Sequence, residues 1–262
     1  MSVIWHKVWY DLWQNKLRTL LAVLSIAVGV FAVGTIFGLI DQLLSGMDTA
    51  HRAVAPSHIN IILRSYIDEE TAAELAEVPG VVAVDAVNQI SIRYKTASDG
   101  AWELGSLVMR PDYTDQTFDI MELKAGQWPG DDNLGIERLT SAYYGLDLND
   151  RIIVDVGGEE REMTLGGLVR HPFVPPPLFG GQAYFFTDGP GLAEFGVPEG
   201  RYGQLLIQVE PYSREYAVTV AGDIRERLSD LGGSVAVTLY QEPDKHWGRM
   251  FVEGVTIVLS IM

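Results

Sequence analysis

Cysteine is absent from this sequence of 262 residues. The chain therefore has no disulfide framework, no thiol nucleophile and no cysteine ligand for a metal ion. At this length, and with 47% hydrophobic residues, it can still bury a substantial core in one or two domains. We expect those domains to fold without a disulfide or a bound metal.

The common motifs of catalysis are also missing. No stretch reads G-x-x-x-x-G-K-[ST], HExxH or G-x-S-x-G, so the chain encodes no familiar nucleotide-binding loop, zinc protease helix or hydrolase nucleophile. None of the five histidines forms a pair at ligand spacing; they are His6, His51, His58, His171 and His246. Asp131-Asp132-Asn133 is interpreted as a solvated turn, because the calcium-loop spacing is absent. We predict a non-catalytic chain with no cofactor and no metal.

Positive charge is scarce and unevenly placed. The chain has 19 lysines and arginines against 35 acids, for a net charge of −16. Residues 41–246 hold 15 of the bases and 33 of the acids, which gives this part a charge of −18. Such an acidic surface argues against nucleic acid or anionic lipid as the ligand of this region.

Long hydrophobic runs are scarce too, and one dominates the chain. Thr19 to Ile40 is twenty-two residues without a charge, and about 20 apolar residues cross a hydrocarbon core of about 30 Å. We predict a transmembrane helix over 19–40. The alternative is a cleavable signal peptide, favoured by the small residues around Ala53. It fits less well, because signal-peptide apolar cores have about 7–15 residues and the cleavage site follows them closely.

Flanking charges predict the orientation of this helix. Lys7, Lys16 and Arg18 precede it against one acid, and Asp41 and Asp48 follow it. Because basic flanks stay in the cytoplasm, we expect a cell-membrane protein with a cytoplasmic N terminus and an extracytoplasmic region over 41–246. The tryptophans of residues 1–18 recur at helical spacing, which predicts an amphipathic helix in the inner membrane interface.

Small residues recur along the predicted span at helical spacing. Two faces result, and they comprise Ala22, Ser25, Gly29 and Ala32 on one and Gly34 and Gly38 on the other. Small faces let helices approach closely in lipid. We therefore predict that this helix packs against transmembrane partners, although glycine and alanine are also simply common in membrane helices.

After the span, the pattern predicts a helical stalk over 41–56 and then an α+β domain over 57–246. Strands are predicted at 58–64, 81–87, 89–95, 104–110, 151–156, 162–170, 182–187, 204–209 and 234–240. Helices are predicted at 68–77, 136–146 and 214–231. Residues 101–188 are rich in predicted strands and form an insert between the two strand–helix–strand pieces.

The two ends of the domain carry matching apolar faces. Residues 247–262 read as a second stalk leading into nine uncharged residues, which are too few to cross a bilayer and resemble the start of a second span. We predict that the two stalks lie side by side and cover each other's apolar faces; their residues are Leu43, Leu44, Met47, Trp247, Met250 and Phe251. The strand at 58–64 should then share a sheet with 204–209 or 234–240.

One segment is dominated by proline. HPFVPPPLFGG, from His171 to Gly181, carries four prolines and two glycines, which excludes regular structure. We predict a surface loop, and a candidate contact for a partner protein at Phe173, Pro175, Pro176, Pro177 and Phe179.

Several segments together resemble the MacB/FtsX-like permeases of ABC transporters. The span RTLLAVLSIAVGVFAVGTIFGL resembles their first transmembrane segment, and EETAAELAEVPGVVAVDAVN resembles their helix, Pro-Gly-Val and strand. LKAGQWP, YGLDLNDRIIV and TLGGLVR follow in the family's order. Asn149 stands where the family usually has glycine, and LGIERLTSAYY fits the usual helix loosely. The family has four spans, of which this sequence carries one complete span and the start of another.

The resemblance implies a function in the membrane. It implies a permease subunit that couples a separate cytoplasmic ABC ATPase to the extracytoplasmic domain, for export, lipid or lipoprotein extraction, or signalling. It also implies a homodimer or heterodimer of permease subunits, with no nucleic acid as partner. The alternative from another class is a singly anchored binding or sensory domain, and the coding sequence after Met262 would discriminate between the two.

Overall fold

The structure, a computed structural model, describes residues 3–130 and 133–261. Asp131 and Asp132 of the predicted solvated turn, and Met262, lie outside the described residues. Seven α-helices occur in this part of the chain. They are α1 Val3–Gln14, α2 Lys16–Arg52, α3 Glu69–Leu75, α4 Arg138–Tyr144, α5 Gly189–Glu194, α6 Arg214–Asp230 and α7 Arg249–Ile261.

Ten strands are described, and the fold is the mixed α+β fold that the sequence predicts. They are β1 Ile59–Asp68, β2 Val81–Lys95, β3 Glu103–Met109, β4 Glu122–Gly126, β5 Asn133–Glu137, β6 Arg151–Val156, β7 Glu159–Arg170, β8 Ala183–Thr187, β9 Arg201–Val209 and β10 Val235–Tyr240. The chain divides into two compact units: one is Ala50–Trp247, and the other combines the residues up to Thr49 with those from Gly248 onward.

The helical unit is dominated by α2. At 1.5 Å per residue, its 37 residues extend about 55 Å, well beyond a hydrocarbon core of about 30 Å. It is the one described helix that is long and apolar enough to span a membrane. The amphipathic helix predicted over 1–18 ends earlier, at Gln14, because the chain turns at Asn15 and Lys16–Arg18 join α2.

A polar contact links α2 and α7 within this unit. Arg249, at the start of α7, forms an ion pair with Asp48 of α2, and its Nε also lies 2.6 Å from Glu253 one turn further along. Arg249 and Asp48 are both shielded from solvent in part. The linkage between the two helices is therefore charged at this point.

In the domain unit, one end is an antiparallel sheet packed on two helices. Its order is β10-β1-β9-β2, and α3 and α6 cover one face. The predicted sharing of a sheet is confirmed, since β1 pairs with both β9 and β10. Asp68, the first residue of the helix predicted over 68–77, ends β1 and caps α3 by accepting from the Thr71 amide at 3.0 Å.

The other end of the domain is a closed ring of strands. Strand pairings run β2-β3-β8-β5-β7-β6 and return to β2, and β4 pairs with the end of β7. Its interior is filled by apolar side chains from all six strands, including Tyr94, Leu107, Leu134 and Phe185. Strands β3 to β8 lie within the predicted β-rich insert of residues 101–188, whereas β2 precedes it.

Strand β2 runs through both ends of the domain, whereas the sequence predicted two strands separated at Asn88. Asn88 is buried, with its Nδ2 donating to the Arg201 carbonyl at 2.8 Å and its Oδ1 accepting from the Gly203 amide at 2.7 Å. The side chain supplies hydrogen bonds to β9 just beyond the last regular β2–β9 pair, Val87 and Gln204. The ring consequently begins within β2, before residue 101.

Four further elements differ from the prediction. The helix predicted over 136–146 begins only at Arg138, because Ile136 and Glu137 end β5 and the Glu137 side chain accepts from the Thr140 amide at 3.3 Å to cap α4. Strands β4 and β5 and helix α5 were not predicted. All three are short, and α5 starts with Gly189 and Pro190, residues typical of turns.

Candidate functional site

The segment that follows α2 is fastened to the domain by a buried network. The carbonyl oxygens of Val54 and Ala55 accept from the amides of Ile120 and Asp119 at 2.9 and 3.0 Å. The Asp119 carboxylate in turn accepts from the Ser57 amide at 2.8 Å and from its hydroxyl at 3.0 Å. Four hydrogen bonds therefore hold the junction where the chain leaves α2 and enters β1.

Arg110 extends this network under the sheet. It is 4% exposed, its Nη2 donates to the Asp119 carbonyl at 3.3 Å, and its Nη1 lies 3.8 Å from Asp85. Burial raises the pKa of Asp119, an effect opposed by the Ser57 hydrogen bonds and by the charge of Arg110. Burial likewise lowers the pKa of Arg110, opposed by Asp119 and Asp85.

His51, in the last turn of α2, was expected to be a solvated stalk residue, and this prediction is wrong. It is 2% exposed, with Nε2 lying 2.7 Å from the Glu242 carbonyl. Its ring meets those of Phe173 and His246 edge-on, with centroids 5.6 Å apart in both cases. The end of α2 is therefore packed against two segments of the domain that are distant in sequence.

The proline-rich loop is more buried than the surface loop that the sequence predicts. Val174 and Pro177 are buried, and Pro177–Phe179 forms a 3₁₀ turn closed by the Gly180 amide donating to the Pro177 carbonyl at 3.0 Å. Pro175 and Leu178 face solvent, and Phe173 and Pro176 are half-buried. The side chain of Phe179 lies outside what the structure describes. A partner contact at this loop stays a prediction.

A matched pair of substitutions tests how the loop packs. Val174→Ala should lower the free energy of unfolding by about 1.5 kcal/mol, from two buried methyl groups at about 0.8 kcal/mol each. Leu178 is 72% exposed, so Leu178→Ala should change stability by less than about 0.5 kcal/mol. Urea unfolding of both variants measures the difference. Equal losses of stability in the two variants would show that Val174 is not buried in the loop.

His171, at the start of this loop, is held neutral. Its ring stacks on Phe186 at a centroid distance of 6.2 Å, and its Nδ1 accepts from the Phe173 amide at 3.1 Å. Burial, with a smaller contribution from Arg110, lowers the pKa of His171 to about 3. The remaining ring nitrogen, Nε2, therefore carries the proton.

This pKa predicts acid sensitivity. Because the folded pKa lies below the ordinary value of about 6.5, the unfolded chain binds a proton first as the pH falls, and stability is lost between about pH 6.5 and pH 3. From pH 7 to pH 5 the loss due to His171 should be about 1–2 kcal/mol. Urea unfolding at both pH values should show this loss in the native chain and a smaller loss in His171→Phe; an unchanged pH dependence in the variant would contradict the assignment.

The small-residue faces lie on α2. A Cβ atom added at Gly29, Gly34 or Gly38 would meet no other atom within 4 Å, and Ala22, Ser25 and Ala32 are exposed. No described element of this chain thus packs on the three glycines. Contact with transmembrane partners at these residues remains a prediction.

The predicted stalk residues differ in their exposure to solvent. Leu43, Met250 and Phe251 are 52%, 68% and 66% exposed, and Arg249 of α7 pairs with Asp48 of α2. Leu44 and Met47 are half-buried, and Trp247 is 44% exposed. The covering of one stalk by the other stays a prediction.

Among residues 3–130 and 133–261, no group of three histidines or acids lies together in a way that could hold a metal ion. Two other features are the junction network and the membrane helix. The former holds the chain where it enters the domain, and the latter anchors it.

Comparisons with known proteins agree with the resemblance seen in the sequence. The family model described as the MacB-like periplasmic core domain matches residues 19–213. No curated protein sequence matches the chain.

Two solved structures have similar domains. The extracellular domain of the noncanonical ABC-type transporter YknZ from Gram-positive bacteria is 14% identical with a TM-score of 0.45, covering 69% of this chain and 100% of that one. The periplasmic region of MacB from Actinobacillus actinomycetemcomitans is 10% identical with a TM-score of 0.48, covering 80% of this chain and 96% of that one. The family match spans the membrane helix and most of the domain, so this chain belongs to the family of the MacB-like periplasmic core domain, the extracytoplasmic part of MacB/FtsX-like ABC transporter permeases.

Proposed function

We propose that the chain is the membrane subunit of an ATP-driven ABC-type transporter or mechanotransmission complex. A separate cytoplasmic ATPase drives motion through the membrane helices into the domain of residues 50–247. The work done is export, extraction of a lipid or lipoprotein, or signalling across the membrane. The observation that carries the proposal is the family match over residues 19–213, which includes both the span and the domain.

The connections of the domain support this proposal. The chain leaves the domain unit at both ends into the same helical unit, through α2 at one end and α7 at the other. The pair of Asp48 and Arg249 joins these two helices. A displacement of α2 against α7 would therefore move the two ends of the domain relative to each other.

Co-purification tests the partnership. The tagged full-length chain, extracted from its own cells in mild detergent, should bring down an ABC ATPase and vanadate-sensitive ATP turnover. After the partner is removed, the chain alone should hydrolyse no ATP. A chain that purifies without any ATPase at full yield would instead support a singly anchored binding or sensory domain.

Charge exchange tests the coupling. Because the chain has no cysteine, Ser98→Cys in the exposed β2–β3 loop gives a single position for an environment-sensitive dye. ATP should change its fluorescence in the complex. Asp48→Arg should abolish that change and Asp48→Arg with Arg249→Asp should restore it; an ATP response unaffected by Asp48→Arg would reject the coupling role of this pair.

A further inference from the structure

A cleft of roughly 240 Å³ lies within the domain, between the sheet face opposite α3 and α6 and the ring of strands. The sheet side contributes Gln204, Leu206 and Gln241, and the ring side contributes Arg110, His171 and Tyr184. Ligand pockets for drug-sized molecules have about 300–1,000 Å³. This cleft therefore suits a small molecule or the end of a larger one.

Two buried hydrogen-bond donors at this cleft have no acceptor in the described part of the chain. They are Nε of Arg110 and Nε2 of Gln241. The Arg110 side chain is 4% exposed, and buried polar groups in proteins are almost always paired. Leaving two donors unpaired at one cleft is costly to the fold, and the cost is recovered when a ligand brings acceptors.

His171 adds a third donor on the ring side. Since its Nδ1 accepts from the Phe173 amide, its neutral ring carries hydrogen on Nε2, for which the described residues provide no acceptor. The carboxylate of Asp119 also lines the cleft, but its two oxygens already accept from Ser57.

Apolar side chains also line the cleft, and they include Val87, Val108, Met121, Phe173 and Leu206. They lie beside the polar side chains of Asn60, Gln89, Tyr184 and Gln204. We propose that the cleft binds a small organic carboxylate with an apolar body: its oxygens accept from Arg110, His171 and Gln241, and its body packs on Val108, Met121 and Phe173. Arginine is suited to this role, because its guanidinium matches the planar carboxylate. The acidic domain surface opposes anions at long range, so the affinity is modest.

Thermal unfolding of the full chain in detergent tests the proposal, with benzoate as the probe. With a dissociation constant of about 1 mM, about 10 mM benzoate should raise the melting temperature by about 2–5 °C. Benzamide and inorganic phosphate at the same concentration should raise it by less than about 1 °C. If benzamide raised the melting temperature as much as benzoate does, the cleft would not recognise the charge. If phosphate did so, the cleft would not recognise the apolar body. Either result, or no shift with benzoate, overturns the proposal.

Substitutions at the donors separate binding from folding. Gln241→Leu removes a donor that has no protein acceptor, so this variant should melt at or above the native temperature. His171→Phe also removes the acceptor of the Phe173 amide and should melt slightly lower. Both variants should bind benzoate at least about 10-fold more weakly by calorimetry. Gln208→Leu, on β9 and outside the cleft, is the matched control and should keep the native affinity. Unchanged benzoate affinity in both donor variants would reject the site, and it would leave the proposed partnership with an ATPase untouched.

Discussion

Gly126→Ala is expected to lower the free energy of unfolding by about 2–5 kcal/mol, from two effects that add. Gly126 has a φ of +77°, a left-handed conformation that costs other residues about 1–2 kcal/mol. A Cβ atom there would also lie far inside van der Waals contact with the Gly166 carbonyl oxygen. Because that oxygen belongs to the backbone and accepts from the Gln127 amide at 3.0 Å, it cannot move aside, and overpacking adds about 1–3 kcal/mol.

Gly222→Ala is the control for this experiment. Gly222 lies in the interior of α6, and the nearest atom to an added Cβ would be the end of the Arg225 side chain at 4.0 Å. Alanine there should raise stability by about 0.5–1 kcal/mol, since glycine is a poor helix former. Urea unfolding followed by tryptophan fluorescence measures both changes. A Gly126→Ala chain as stable as the native one would mean that β4 and β7 do not pack as described.

The second large effect is expected at the junction. Asp119→Ala should lower the free energy of unfolding by about 2–4 kcal/mol, because it removes two hydrogen bonds to a buried carboxylate, while Arg110 keeps Asp85 as an acidic neighbour. The substitution removes both hydrogen bonds to Ser57 and one acidic neighbour of buried Arg110. Ser57→Ala removes only the hydroxyl bond and should cost about 1 kcal/mol.

Asp115→Ala provides the matched comparison for Asp119→Ala. Asp115 lies in the same β3–β4 segment and is exposed, so its removal should change stability by less than about 0.5 kcal/mol. Limited proteolysis adds a local readout, because a loosened junction should be cut between Arg52 and Ser57 before the domain unfolds. If Asp119→Ala and Asp115→Ala unfold at the same urea concentration, the buried network contributes nothing to the junction.

Much of the architecture could be predicted from the sequence because its signals are local. The apolar run up to Ile40 predicts the membrane helix by length and composition alone. Alternation of apolar and polar residues predicts β1, β9 and β10, and the need to close a core between two stalks predicts that they share a sheet. These features depend on residues within a few positions of one another, and on the condition that the core closes between the two stalks.

The misplaced features depend on partners distant in sequence. Asn88 looks like a break between strands, yet it is buried because the backbone of Arg201 and Gly203 pairs with its side chain. His51 looks solvated until Glu242 and Phe173 are brought beside it. The role of Arg110 was not predicted at all, and the only signal for it is an arginine at the end of an otherwise buried strand pattern.

Two glycine-containing segments that resemble family motifs lie next to each other in the structure. LKAGQWP and TLGGLVR are separated by about forty residues in the sequence, yet Gly126 of the first pairs with Gly167 of the second between β4 and β7. The close approach of two backbones requires glycine on both sides. The two motifs LKAGQWP and TLGGLVR therefore form a single packing contact between β4 and β7.

We propose that α2 crosses the membrane, with the N terminus inside the cell and residues 50–247 outside. The absence of cysteine makes this directly measurable, since each introduced cysteine is the sole thiol. Gln14→Cys at the end of α1 and Ser98→Cys in the β2–β3 loop are both at exposed positions. Each variant is expressed in full length and treated in intact cells with a membrane-impermeant maleimide.

We expect the Ser98→Cys chain to be labelled in intact cells, with the outer membrane permeabilised if the host has one. The Gln14→Cys chain should be labelled only after the cell membrane itself is opened. Labelling of Gln14→Cys in intact cells, or protection of Ser98→Cys until lysis, would contradict the orientation and with it the transmission of ATP-driven motion to an external domain.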